Sequence, residues 1–238
     1  MAHLVKRLSD FLGCPLHGPA ATPCGHVAAN LAITLFGLTE LIFVPEYWNP
    51  PSLFNLAQRT GFDIESLIFS FALGGTGTVL YDALAGRDLV PASAALRQAL
   101  QHCLHRWAML LPSATFVPRC VLPWNPIYAV LACLVLGAVA SNLCCPELRR
   151  KSFVGGLLFL ALHAVFMLGL KGFAPGYIAA VWNLPALKVG LVYGIPTEEL
   201  LFGFAFGLYW SGVYEHFTWS VSAMRSKSVS GQLTRPRL

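Results

Sequence analysis

The chain has 238 residues, of which 56% are hydrophobic and only 11% charged, with a formal net charge of +5. Its mean hydropathy of +0.62 excludes an ordinary soluble domain and fits a polytopic membrane protein. The basic residues flank apolar stretches instead of gathering on one face, so they read as topogenic charges and not as a nucleic-acid surface.

Residues 1–26 are polar and lack an apolar h-region, so no cleavable signal peptide is expected. Within them, Cys14, His17, Cys24 and His26 give the pattern C-x2-H-x6-C-x-H in a Gly/Pro-rich loop. Four such ligands could hold zinc tetrahedrally. The spacing matches no common finger, and reduced thiols beside ordinary loop histidines are the preferred reading. The remaining cysteines fall in no disulfide framework. Cys133 inside an apolar run, and Cys144-Cys145 at the end of one, read as small packing residues.

Five apolar segments follow, at about 27–45, 64–82, 121–144, 152–171 and 196–214. Each approaches the ~20 residues that a helix needs to cross the hydrocarbon core. A sixth, about 103–118, is weaker and contains His105, Arg106 and Pro112. If it crosses and the N-terminus is cytoplasmic, the inner side carries Lys6, Arg7, Arg87, Arg97, Arg149, Arg150, Lys151, Arg225, Lys227, Arg235 and Arg237. The outer side carries Arg59, Arg119, Lys171 and Lys188. Eleven against four is a clear positive-inside bias. The expected fold is therefore all-α, a bundle of about six transmembrane helices with both termini cytoplasmic, in a bacterial inner membrane. His102 and His105, near Cys103 on the same cytoplasmic side, could as easily be interfacial side chains as ligands, and His163 reads as a hydrogen-bonded packing residue.

Part of the chain occurs twice. Residues 62–82 (FDIESLIFSFALGGTGTVLYD) align with 195–215 (IPTEELLFGFAFGLYWSGVYE), pairing Glu65 with Glu198, Phe69 with Phe202, Tyr81 with Tyr214 and Asp82 with Glu215. Each copy follows a Trp-Asn-x-Pro-x-Leu stretch, starting at Trp48 and at Trp182. The expected organisation is a cytoplasmic segment 1–26, membrane repeats 27–120 and 121–217, and a basic, disordered tail 218–238. With six helices both copies run from outside to inside, as parallel repeats about an axis along the membrane normal. Gly74-Gly75-Thr76-Gly77, mid-helix and with no preceding strand, reads as a helix-packing patch and not a dinucleotide loop.

Carboxylates inside such a bundle are costly and are functional candidates. Glu198 and Glu199 open a helix, where acids also offset exposed N–H groups, so either one alone has a purely structural explanation. The recurrence at Glu65, with an aromatic ring at i+4 in both copies, favours function. Two carboxylates and two rings facing one apolar cleft would make an acid site able to shelter a carbocation. Asp82 and Glu215 lie about 25 Å further along their helices and read as interfacial acids after an anchoring Tyr. Glu40 is the other buried-acid candidate, with function and a simple ion pair equally open.

Pro196-Thr197-Glu198-Glu199-Leu200-Leu201-Phe202 resembles the Pro-x-Glu-Glu/Asp-x-x-Phe signature of the integral-membrane lycopene cyclases, the heterodimeric bacterial enzymes and the related domain of fungal bifunctional ones. The resemblance covers roughly 27–217. It implies two halves of about three helices each, and an isomerase that cyclises the acyclic ends of a carotenoid without redox change. It implies Glu198, Glu65 and Glu199 as catalytic residues and Phe69, Phe202, Trp48 and Trp182 as the pocket lining. No cofactor is implied, apart from zinc if the N-terminal segment binds it. The partners implied are the bilayer, a long apolar polyene and other membrane enzymes of the carotenoid pathway, with no nucleic acid. The first copy, Asp63-Ile64-Glu65-Ser66, lacks the Pro and has Ser66 in place of the second acid. If both acids are needed in each half, only the second half is catalytic. Two other classes stay open: a proton- or cation-coupled transporter using the same acids, and a non-catalytic membrane partner subunit. No P-loop, HExxH or pair of Asp-rich magnesium motifs is present, which argues against a prenyl-diphosphate transferase.

Overall fold

A computed structural model describes residues 34–99, 102, 105–116 and 124–224. Cys14, His17, Cys24 and His26, and residues 225–238, lie outside the described residues. What is described is mostly helical.

Helix α1 spans Ile64–Ala85. Asp63 starts it, accepting the Ser66 N–H at 2.6 Å, and Gly86 ends it in the left-handed region at φ 60°. The strand β1 (Arg87–Pro91) follows. Helix α2 (His105–Leu110) passes into a 3-10 turn, Leu111–Phe116. Helix α3 (Pro126–Cys144) opens on the Asn125 side chain, which accepts the Ile127 N–H, with Pro126 at the first helical position. Helix α4 spans Arg149–Phe173. A two-residue hairpin pairs β2 (Leu191–Val192) with β3 (Ile195–Pro196). It delivers the chain into α5 (Thr197–Trp210), which breaks at Ser211-Gly212 and continues as α6 (Val213–Thr218). The final strand β4 (Ser220–Met224) pairs antiparallel with β1.

Among the described residues, three helices are long and apolar enough to cross a membrane: Ile64–Ala85, Pro126–Cys144 and Pro146–Phe173. The six expected spans are thus met in part. Segment 103–118 gives twelve described helical residues, with Pro112 in its 3-10 portion. Segment 27–45 is described only from residue 34, as a 3-10 turn Leu35–Thr39 and a short helix Glu40–Phe43. The two small sheets correct a strictly all-α expectation. The expected tail, 218–238, begins at the last residue of α6 and includes β4 of the β1–β4 ladder. Large apolar side chains on the long helices, including Ile68, Leu84, Leu143, Phe153 and Val165, point outward. Water would not tolerate that surface, and lipid does.

Helix α5 lies at the centre, packed mainly on α4 and α3. Its Phe206, Tyr209 and Trp210 form a core with Leu134, Ala138 and Phe159, and Phe206 stacks on Trp210 at 5.4 Å. The α4–α5 crossing is close. A Cβ on Gly207 would come within 2.6 Å of the Gly155 carbonyl oxygen, so larger residues there would force the backbones apart. Gly77 of α1 makes room for Phe206 in the same way, since a Cβ would lie 2.8 Å from its ring. The packing role read for the glycine patch holds at that position.

The two Trp-Asn-x-Pro loops meet. Trp48 and Trp182 form an antiparallel bridge. Asn49 N–H donates to the Val181 carbonyl at 2.8 Å, and Asn183 N–H to the Tyr47 carbonyl at 2.9 Å. The two indoles lie 5.6 Å apart.

Candidate active site

The sequence Gly190–Pro196 brings two adjacent acids into the protein interior. Gly190, Tyr193 and Gly194 adopt positive φ, which turns the β2–β3 hairpin back on itself. Thr197 then ties to the Gly190 carbonyl through its N–H at 3.0 Å and its hydroxyl at 2.9 Å. Pro196 precedes the first helical residue, and Glu198 and Glu199 occupy the first turn of α5.

Glu198 is 0% exposed. Its Oε1 accepts the Tyr128 hydroxyl at 2.6 Å and the backbone N–H groups of Lys188 and Val189 at 3.2 Å each. Its Oε2 is buried and has no hydrogen-bond partner among the described residues. One oxygen is therefore held firmly and the other is buried without a hydrogen-bond partner among the described residues, an arrangement that calls for an explanation.

Glu199, 7% exposed, is saturated instead. Its Oε1 accepts the Tyr47 hydroxyl at 2.5 Å and the Trp182 indole N–H at 2.9 Å. Its Oε2 lies 3.0 Å from His163 Nε2. His163 is itself buried on α4, with the Phe202 ring edge-on at 6.0 Å and the Phe159 ring stacked at 6.5 Å. Trp182 and Phe202, expected as pocket lining, are thus next to Glu199 and His163. Trp48 reaches this group through its contact with Trp182.

The first-half residues lie elsewhere. Glu65 is exposed, and its Oε1 caps the Leu53 N–H at 2.8 Å. It shares none of Glu198's partners, so the cleft expected between these two aligned acids does not form. Phe69 is 40% exposed on the outer face of α1. Ser66, in the place of Glu199, is buried. Glu40 is buried too, with Asp63, Ser66 and Trp48 as its polar neighbours.

Asp82 and Glu215 are not interfacial acids. They converge on Lys151, whose ammonium group donates to both. Lys151 is 4% exposed and Glu215 1%. The Ser222 hydroxyl, from β4, lies 2.8 Å from Asp82 Oδ1 and 3.1 Å from Glu215 Oε1. Tyr81 and Tyr214, read as interfacial anchors, are both buried. Lys151 is likewise a buried partner and not a free flanking charge. Burial of an acid pair is possible here because one cation serves both.

The sequence reading missed Tyr47, Tyr128 and the role of His163. The two tyrosines come from 152 and 70 residues away, and no spacing announces such partners. His163 did carry a signal, since a lone ionisable side chain within an apolar run marks function by default.

An open groove lined by Asn49, Asn55, Gln58, Arg59, Tyr177 and Val181 lies beside the Trp loops. It contains none of these carboxylates.

Residues 125–217 match the family described as Lycopene cyclase. The match begins at the residue that caps α3 and ends in α6. It includes Tyr128, His163, Trp182, Glu198 and Glu199, and it leaves out Glu65 and Tyr47. No curated protein and no solved structure matches the chain.

Proposed function

We propose that this chain is a membrane isomerase that closes the acyclic end groups of a carotenoid by acid–base chemistry. The observation that carries the reading is the buried Glu198 carboxyl, with one oxygen fixed and the other unpartnered among the described residues, beside the hydrogen-bonded Glu199–His163 pair. The lycopene cyclase match over 125–217 supports the same chemistry.

In this reading the Glu198 carboxyl is the acid, and a proton on Oε2 passes to a terminal carbon–carbon double bond. The electron pair of that bond forms the new C–H bond, and a tertiary cation results. An internal double bond attacks the cation and closes a six-membered ring, moving the positive charge to a ring carbon. A neighbouring carbon then loses a proton, and its C–H electrons form the ring double bond. Glu199 with His163 accepts that proton and returns it to Glu198. Atoms and electrons balance with no oxidant or reductant. The site excludes water, which would otherwise quench the cation. The Trp182 and Phe202 faces stabilise the cation without reacting with it.

The two halves act together in this proposal, although only the second carries both acids. Tyr47, on the first Trp loop, supplies a hydrogen bond to Glu199 across the Trp48–Trp182 bridge. We read 27–120 and 121–217 as related repeats and keep both termini on the cytoplasmic side, on the charge bias described above.

The test is expression in a lycopene-accumulating bacterium followed by pigment separation. Ring-bearing products are expected. Unchanged pigment from correctly inserted protein would overturn the reading in favour of a transporter or a non-catalytic partner subunit.

A further inference from the structure

Five histidine and cysteine side chains that the proposed chemistry does not use converge at the other end of the bundle. Tyr128, beside Glu198, lies near the start of α3, and Cys144 ends that helix about 24 Å away at 1.5 Å per residue. There, His102 Nδ1 lies 3.4 Å from Cys144 Sγ and 3.9 Å from Cys145 Sγ. His105 Nδ1 lies 3.4 Å from Cys144 Sγ. His216 Nδ1 lies 3.4 Å from Cys145 Sγ. One ligand atom from each of His102, His105, Cys144 and Cys145 lies within 4.8 Å of the other three.

The nitrogen–sulfur separations of 3.4–3.9 Å lie close to a known coordination geometry. Zinc bonds of about 2.3 Å to sulfur and about 2.0–2.1 Å to nitrogen, set tetrahedrally, place the donors roughly 3.3–3.8 Å apart. Adjacent residues on a helix diverge by about 100°, so two neighbouring cysteines do not ordinarily serve one ion. Here Cys145 leaves the helical conformation, at φ −126° and ψ 79°, and its sulfur turns to the same point as that of Cys144.

The histidines are held for ligation. His105 Nε2 donates to the His216 carbonyl at 2.8 Å, and His216 Nε2 donates to the His105 carbonyl at 3.0 Å. With the proton on Nε2, each ring turns its Nδ1 lone pair toward sulfur. Such hydrogen bonds from the far ring nitrogen are what fix a ligating tautomer. The His105 and His216 rings stack at 3.8 Å, and Trp219 covers the opposite face of the site by stacking on His105 at 3.8 Å. His102, Cys144, Cys145 and His216 are all buried.

We propose that His102, His105, Cys144 and Cys145 form a closed Cys2His2 zinc site that ties the start of α2 to the end of α3. His216 orients His105 and covers the site. Two thiolates and two neutral imidazoles cancel the charge of a divalent ion, so the complex is neutral and its burial is cheap. A tetrahedral sulfur–nitrogen donor set favours zinc over calcium or magnesium, which take oxygen. Four protein ligands leave no open position, so the site is structural. Binding releases the two thiol protons to solvent.

The test is metal analysis of the full chain purified from membranes of zinc-supplied cells, with no activity assay required. About one zinc per chain is expected. Cys144→Ser/Cys145→Ser should lose it, while Cys14→Ser/Cys24→Ser and Cys133→Ser should keep it. X-ray absorption of the unmutated protein gives a readout that does not depend on folding of a variant, and it should show two sulfur and two nitrogen neighbours. Metal-free protein, a shell of oxygen and nitrogen alone, or zinc kept in Cys144→Ser/Cys145→Ser and lost in Cys14→Ser/Cys24→Ser, would each overturn the proposal. The result is independent of whether the chain cyclises carotenoids.

Discussion

Residues 62–82 and 195–215 align residue for residue, yet the structure treats their acids in two ways. At the far end of the alignment the pair stays together, because Asp82 and Glu215 share Lys151. The Trp loops before each copy also stay together, at Trp48 and Trp182. Between these fixed points the two copies part. Glu198 is sealed inside with one oxygen unpartnered among the described residues, and Glu65 stands outside capping a loop. Glu199 gathers three hydrogen-bonding side chains, and its counterpart is Ser66. Of the aligned positions, those that join the two segments keep their contacts, while a buried acid group is built only around the second. The sharpest way to break this contrast is Glu198→Gln. Gln keeps the size and the Oε1 bonds but cannot give up a proton, so turnover should fall at least about 100-fold with insertion unchanged. Wild-type turnover would reduce Glu198 to a helix-start residue.

The sequence made the second copy legible and the first misleading, for physical reasons. Pro196 and two acids ahead of an apolar run announce a helix start with buried charge, and residues 125–217 carry the family match. Glu65 looked equivalent because alignment compares positions and not faces. Asp63, an N-cap acceptor in the first copy only, starts α1 so that Ser66 faces inward and Glu65 outward. The buried ion cluster was hidden by Lys151, which sits beside Arg149 and Arg150 and so resembles one more flanking charge. The strands β1 and β4 are five residues each and carry no alternation strong enough to stand out. Tyr47 and Tyr128 act on the acids from distant parts of the chain, which no local pattern encodes.

The contacts kept by both copies should respond to mutation differently from the site. Lys151→Met leaves two buried carboxylates without their cation, a loss on the order of 3–5 kcal/mol. Thermal unfolding in detergent should shift down strongly, while pigment turnover per folded molecule stays close to wild type. Adding Asp82→Asn and Glu215→Gln to Lys151→Met should recover part of the stability, since neutral amides are cheaper to bury. A triple variant less stable than Lys151→Met would show that the cluster does not act as one unit.

Tyr47→Phe probes the link between halves at a smaller scale. It removes one hydrogen bond to the Glu199 carboxylate and little else. A bond to a charged acceptor is worth about 1.5–3 kcal/mol, so turnover should fall roughly 10- to 100-fold if the first half supports the site. An unchanged rate would mean that the halves touch at the Trp loops without cooperating in chemistry.

The smallest expected effect is Glu65→Gln, and it is the most discriminating. Glu65 is exposed, and its Oε1 accepts a hydrogen bond from the Leu53 N–H. Gln keeps a carbonyl oxygen for that bond. What is lost is a solvent-screened charge at the start of α1, where an acid interacts favourably with the helix dipole. Stability should therefore drop only slightly, and turnover should stay within about two-fold of wild type. Alignment alone argues the reverse, that the change should match Glu198→Gln. A large loss of turnover at constant stability would place Glu65 in the chemistry after all, with a rearrangement of α1 bringing it inward when substrate binds. Parity with wild type would confine the acid chemistry to the second copy and leave the first to hold Tyr47 in place.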